Sequence, residues 1–176
     1  LIADEGLPGL TLCLRRLQGI DLNGQTGRVK ASAGEPIPTL ARRAARLGLQ
    51  GLEWAVGIPG TVGGAAVMNA GAQGGCTAER LLSVDVVALE GEDFSIQRLE
   101  RDALDFAYRH SALQGRRLLV LAAEFQLEPG HDPGELQRRT SGNLNHRTST
   151  QPAARTAGCM FKNTADSPAG KIVDEC

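Results

Sequence analysis

The sequence has 176 residues, 41% of them hydrophobic, enough for one domain of ordinary size or for one core plus the start of a second. With 19 Lys+Arg against 20 Asp+Glu the net charge is −1, and the densest basic cluster is Arg42, Arg43 and Arg46, so bulk attraction to nucleic acid or a membrane surface has no basis. The four cysteines, Cys13, Cys76, Cys159 and Cys176, form no CxxC pair and no Cys/His cluster, which argues against zinc or dithiol chemistry and suits a reducing cytoplasm.

The opening Leu1-Ile2-Ala3-Asp4-Glu5-Gly6 has neither an initiator Met nor a signal-peptide layout, and no apolar run reaches the roughly 18 to 20 residues of a membrane span. The sequence reads as an internal piece of a longer chain: it opens in an apolar segment and stops at Asp174-Glu175-Cys176 inside a helical pattern. Leu10 to Leu14 and Arg28 to Ala33 read as strands. From Pro36 to Leu47, apolar residues at Ile37, Leu40, Ala41, Ala44 and Leu47 keep a helical spacing, and Gly48 stands where a C-terminal cap belongs. Ser83 to Leu89 is a β-branched run, Glu90-Gly91 a turn, Phe94 to Gln97 a returning strand, and Leu118 to Leu127 a longer apolar strand. From Pro129 the composition turns polar, predicting an exposed helix over 134–146 and a linker near Gln151-Pro152. The fold class is therefore α+β, with residues 1–128 as one unit, 129–151 as helix and linker, and 152–176 as the start of a second domain.

Between these elements lies Gly57-Ile58-Pro59-Gly60-Thr61-Val62-Gly63-Gly64, continuing to Asn69, Gly71, Gly74 and Gly75. Seven glycines fall within nineteen residues, a concentration that costs folding entropy and has two explanations. A glycine-rich loop lets the backbone approach an anion and aim several amide N–H groups at it, as in diphosphate cradles; alternatively, the glycines form tight turns that pack helix against sheet. The spacing GxxGxxGG is neither a Rossmann turn nor a P-loop.

Leu52-Glu53-Trp54-Ala55-Val56-Gly57-Ile58-Pro59-Gly60-Thr61-Val62-Gly63-Gly64-Ala65, followed by Met68-Asn69-Ala70-Gly71-Ala72, resembles the flavin-binding signature of the UDP-N-acetylenolpyruvoylglucosamine reductase family. Two further motifs match it in order: Tyr108-Arg109-His110-Ser111, and Gly158-Cys159-Met160-Phe161-Lys162-Asn163 followed by Ala169-Gly170-Lys171. The resemblance implies part of an FAD-binding domain of the vanillyl-alcohol-oxidase type and the start of an α+β substrate-binding domain. It also implies FAD as cofactor, NADPH as co-substrate, and reduction of UDP-N-acetylenolpyruvoylglucosamine to UDP-N-acetylmuramate for peptidoglycan. Flavin contacts carry over to Gly57, Ile58, Pro59, Gly60, Thr61, Gly63, Gly64 and Asn69.

In that family hydride reaches the far carbon of an enol ether and leaves negative charge delocalised into the adjacent carboxylate. The charge needs a cation and the carbon needs a proton. The resemblance gives the first role to Arg109, whose guanidinium is permanently charged and meets a carboxylate through two parallel hydrogen bonds; without the motif, a surface arginine paired with Asp105 would be the simpler reading. Ser111 is expected to help place this loop, and Tyr108 to be core or to touch the ligands. The proton donor falls on Cys159, where the family commonly has Ser. A thiol, with an ordinary pKa of about 8.5, is a stronger acid than an alcohol and still carries its proton at pH 7. Asn163 is expected at the substrate diphosphate, with Lys162 and Arg147 as further contacts. Cys13 and Cys76 read as buried structural cysteines, and His110, His131 and His146 have no metal-site spacing. The family's protein extends beyond both ends of this sequence, so the 176 residues alone are expected to be inactive and to bind FAD weakly or not at all. Two other readings are a different oxidase of the same flavin superfamily and a flavin- or nucleotide-binding module without chemistry.

Overall fold

The computed structural model describes residues 2, 4–151, 161–164 and 166–176. The chain runs β1 (Ile20–Leu22), β2 (Arg28–Ser32), α1 (Ile37–Arg46), a 3-10 turn (Glu53–Gly57), α2 (Val62–Met68), β3 (Gly71–Ala72), β4 (Gly75–Cys76), β5 (Leu81–Ala88), β6 (Ile96–Glu100), β7 (Leu118–Gln126), α3 (Pro133–Thr150) and α4 (Ala169–Asp174). Five strands form one sheet in the order β1-β2-β7-β5-β6, every neighbouring pair antiparallel. The short β3–β4 hairpin stands apart from it.

Alternation decides which face is covered. In β2, Val29 and Ala31 are buried while Arg28 and Lys30 are exposed, the period-two pattern of a half-buried antiparallel strand. Val84, Val86, Val120, Ala123 and Phe125 join the same core. The other face carries an ion-pair ladder: Glu124 lies between Arg28 at 3.2 Å and Arg98 at 2.7 Å, and Lys30 pairs with Asp85 at 2.7 Å. Cross-strand pairing of opposite charges suits positions that face water.

Helix α1 follows its apolar spacing, burying Ile37, Leu40, Ala41, Ala44 and Ala45. It ends at Leu47 with Gly48 at φ +69°, the left-handed cap that glycine adopts without strain. Helix α2 packs on the sheet through Val62, Ala65 and Ala66, and Thr61 caps it by accepting from the Gly64 N–H at 3.3 Å. Helix α3 is capped by Asp132 and lies against α1 and the 3-10 turn.

The strands expected over 28–33, 83–89, 94–97 and 118–127 are present with ends shifted by a few residues. Four expectations need correction. Leu10 to Leu14 forms no strand; residues Leu14–Arg16 make a 3-10 turn, and Leu10 and Leu12 are exposed. Helix α3 is longer than 134–146 and is not wholly exposed, because Leu136 and Thr140 are buried. Cys13 is exposed and so has no place in the core. Residues 62–68, read as part of a loop, are a helix, because Val62, Ala65 and Ala66 give this glycine-rich segment one buried face.

Candidate active site

Helix α2 organises the site, with the glycine-rich loop at its start and the Tyr108-Arg109 turn at its end. At its N-terminal side the loop is bonded through the backbone to the segment that links β2 to α1. Ile37 donates to the Gly60 carbonyl at 3.1 Å, Val62 to Glu35 at 2.8 Å and Gly63 to Ala33 at 2.9 Å. The glycines divide by what a side chain would meet. At Gly63 a Cβ would stand 2.8 Å from the Ala33 methyl, and at Gly57 it would stand 2.5 Å from the Arg147 side chain; both glycines serve close packing. At Gly60 a Cβ would meet nothing within 4 Å, and the residue is exposed. Among the described residues, the Gly60 and Thr61 N–H groups have no acceptor, so two neighbouring donors are free on an open stretch of backbone. That arrangement fits an anionic ligand such as a diphosphate. Close packing accounts for Gly57 and Gly63 but not for Gly60, where the space beside the backbone is open.

At the C-terminal end, Asn69 is buried with φ +41°. Its side-chain amide donates to the Ala107 carbonyl at 2.9 Å and accepts from the Ala78 N–H at 3.0 Å. Ser111, fully buried, donates through Oγ to the Val67 carbonyl at 2.7 Å. Gln114 Nε2 donates to the Val67 and Arg109 carbonyls, each at 3.1 Å, and lies 3.5 Å from Met68 Sδ. Backbone carbonyls of a helix's last turn lack intrahelical partners, and residues far along the chain satisfy that of Val67.

The turn Ala107–His110 is closed by reciprocal backbone bonds at 3.1 and 3.2 Å, with Arg109 at φ +53°. The half-buried Arg109 side chain donates from Nη2 to the Gly71 carbonyl at 2.8 Å, and its guanidinium lies 5.1 Å from the Tyr108 ring centroid, within cation–π range. Among the described residues it has no carboxylate partner, so the pairing with Asp105 does not form. Tyr108 is 54% exposed and Met68 46%, leaving both open to a ligand.

Arg147, half-buried near the end of α3, lays its side chain against Gly57 and so reaches the glycine-rich loop. Cys159 lies outside the described residues. Lys162 is exposed, and the Asn163 side chain accepts from the Ala169 N–H at 3.0 Å, at the start of α4. Cys76 is half-buried; burial, and then the charge of Glu79, raise its thiol pKa. Among the described residues no group of His, Cys, Asp and Glu could hold a metal ion, and no helix is long and apolar enough to cross a membrane.

Residues 2–96 match the model of a family described as an FAD binding domain. The chain is 71% identical over 175 residues to a UDP-N-acetylenolpyruvoylglucosamine reductase from Synechococcus sp. (strain WH7803), covering 99% of this chain and 56% of that protein. A reductase of the same name from Synechococcus elongatus is 49% identical over 177 residues, with 58% of its length covered. A crystal structure of UDP-N-acetylenolpyruvylglucosamine reductase from Thermus caldophilus superposes with a TM-score of 0.75 at 36% identity, covering 91% of this chain and 56% of that one. The chain thus spans a little over half the length of the relatives it matches.

Proposed function

The chain belongs to the FAD binding domain family, and from that premise we propose that it supplies the cofactor loop and the first catalytic residues of an NADPH-dependent, FAD-containing reductase. That enzyme converts UDP-N-acetylenolpyruvoylglucosamine to UDP-N-acetylmuramate in peptidoglycan synthesis. One observation carries the reading furthest: Arg109 is half-buried, held by a carbonyl, and without a carboxylate partner among the described residues. A permanent charge held that way, with donors left over, is available to a ligand anion. The substrate's enolpyruvyl carboxylate is such an anion.

When bound, FAD would supply the hydride-transfer chemistry that links NADPH to the substrate carbon. The loop Gly57 to Gly64 would hold the cofactor, and the Gly60 and Thr61 N–H groups, which have no acceptor among the described residues, would be available to its diphosphate. Gly63 contributes by letting α2 sit close to Ala33, and Asn69 by fixing the residues behind the cofactor. Arg109 orients the substrate carboxylate and stabilises the charge delocalised into it. Tyr108, stacked on Arg109, flanks the substrate. Cys159 delivers the proton as a neutral thiol, and Asn163, Lys162 and Arg147 bind the substrate diphosphate.

The test uses the full-length protein, reduced anaerobically with one equivalent of NADPH and mixed with UDP-N-acetylenolpyruvoylglucosamine in a stopped-flow spectrophotometer. Rapid return of oxidised flavin absorbance is expected. Flavin that stays reduced until air is admitted would point to an oxidase, and flavin that NADPH does not reduce would point to a binding module.

A further inference from the structure

We propose that Gln114 is a positioning residue for Arg109, an inference that rests on the catalytic role assigned to Arg109 above. Arg109 occupies a left-handed backbone conformation at φ +53°, which is disfavoured for a residue with a Cβ and persists only where its surroundings enforce it. The reciprocal Ala107–His110 backbone bonds close the turn that carries it, and Gln114 fastens that turn to α2. Its single amide bonds the Arg109 carbonyl and the Val67 carbonyl, both at 3.1 Å, joining the strained residue directly to the last turn of α2. Ser111 also reaches the Val67 carbonyl, and Asn69 holds Ala107, but neither touches Arg109 itself. The guanidinium is meanwhile tied to Gly71, three residues beyond the helix end at Met68. Backbone and side chain of Arg109 are thus both referenced to the C-terminal end of α2, whose N-terminal end is the glycine-rich loop. A helix of seven residues is a spacer of about 10 Å. Gln114 therefore sets where the guanidinium stands relative to whatever the loop holds, without touching ligand.

The prediction separates the two half-reactions. In the full-length, FAD-loaded protein, Gln114→Met keeps the side-chain length but removes both donors, whereas Gln114→Lys keeps N–H donors on a side chain one bond longer. Gln114→Met should leave the rate of flavin reduction by NADPH within about twofold of wild type. It should slow reoxidation by UDP-N-acetylenolpyruvoylglucosamine about 10- to 100-fold, the order expected for a displacement near 1 Å. Gln114→Lys should restore most of the loss, and the Arg109 side-chain 15N resonance should move in the Met variant and return in the Lys variant. FAD content and thermal melting report folding; if Gln114→Met loses FAD, Gln114→Asn, whose amide is one methylene short, replaces it. Unchanged reoxidation in the donor-less variant, or equal loss of both half-reactions with no rescue by Lys, overturns the inference. Arg109→Ala in the same assay tells the two claims apart. If it leaves reoxidation unchanged, the role of Arg109 has failed; if it abolishes reoxidation while Gln114→Met does not, only the role of Gln114 has failed.

Discussion

The two ends of α2 are built on opposite plans. At the N-terminal end, Gly60 and Thr61 offer bare backbone, with two N–H donors that have no acceptor among the described residues and open space where a side chain at Gly60 would stand. At the C-terminal end the group proposed to act is a long side chain, and its turn is tied down by Asn69, Gly71, Ser111 and Gln114. A backbone cradle is written in consecutive residues and can be read from the sequence. A positioned guanidinium depends on partners up to 47 residues apart in the chain and cannot.

The glycines sharpen this contrast most. Gly63→Val should destabilise the fold by about 3 kcal/mol, because its Cβ collides with the Ala33 methyl in a packed contact; chemical denaturation of the full-length protein measures it. Gly60→Val meets no protein atom at its Cβ, so stability should change by less than about 0.5 kcal/mol. Its effect should fall on FAD instead, weakening binding about tenfold, or about 1.4 kcal/mol, as read by flavin fluorescence titration. If the two variants exchanged these effects, the division between packing and ligand-facing glycines would be wrong.

The C-terminal end should answer differently. Ser111→Ala removes one of the two side-chain bonds to the Val67 carbonyl and should cost about 1 kcal/mol, with FAD affinity unchanged. The smallest effect is expected at Cys76. Its raised thiol pKa means that the folded state favours the protonated form. The associated stability is present below the ordinary thiol pKa and is lost as pH rises through the folded value. Between pH 7 and pH 10 the wild type should therefore lose slightly more melting temperature than Cys76→Ser.

Sequence reasoning found α1 from its helical spacing at Ile37, Leu40, Ala41 and Ala44, β5 and β7 from their β-branched and apolar runs, and β6 from the Glu90-Gly91 turn before it. It missed α2, whose buried residues Val62, Ala65 and Ala66 are too few and too interrupted by glycine to show a period. It placed a strand at Leu10 to Leu14, where the apolar residues have no partner strand among the described residues. In the site, the motif marked Arg109 and the glycine loop, yet gave no sign that Asn69 bonds Ala107 and Ala78, or that Gln114 holds Arg109. Those assignments depend on which carbonyls α2 leaves unpaired, and that is settled only once the chain has folded around it.

The most direct test of the account replaces Arg109 by Ala in the full-length protein and follows both half-reactions anaerobically. Flavin reduction by NADPH should proceed at close to the wild-type rate, while reoxidation by UDP-N-acetylenolpyruvoylglucosamine should fall at least about a thousandfold, in line with losing the main charge-stabilising group. Reoxidation at the wild-type rate would show that the half-buried guanidinium at the end of α2 is a structural feature and not part of the chemistry.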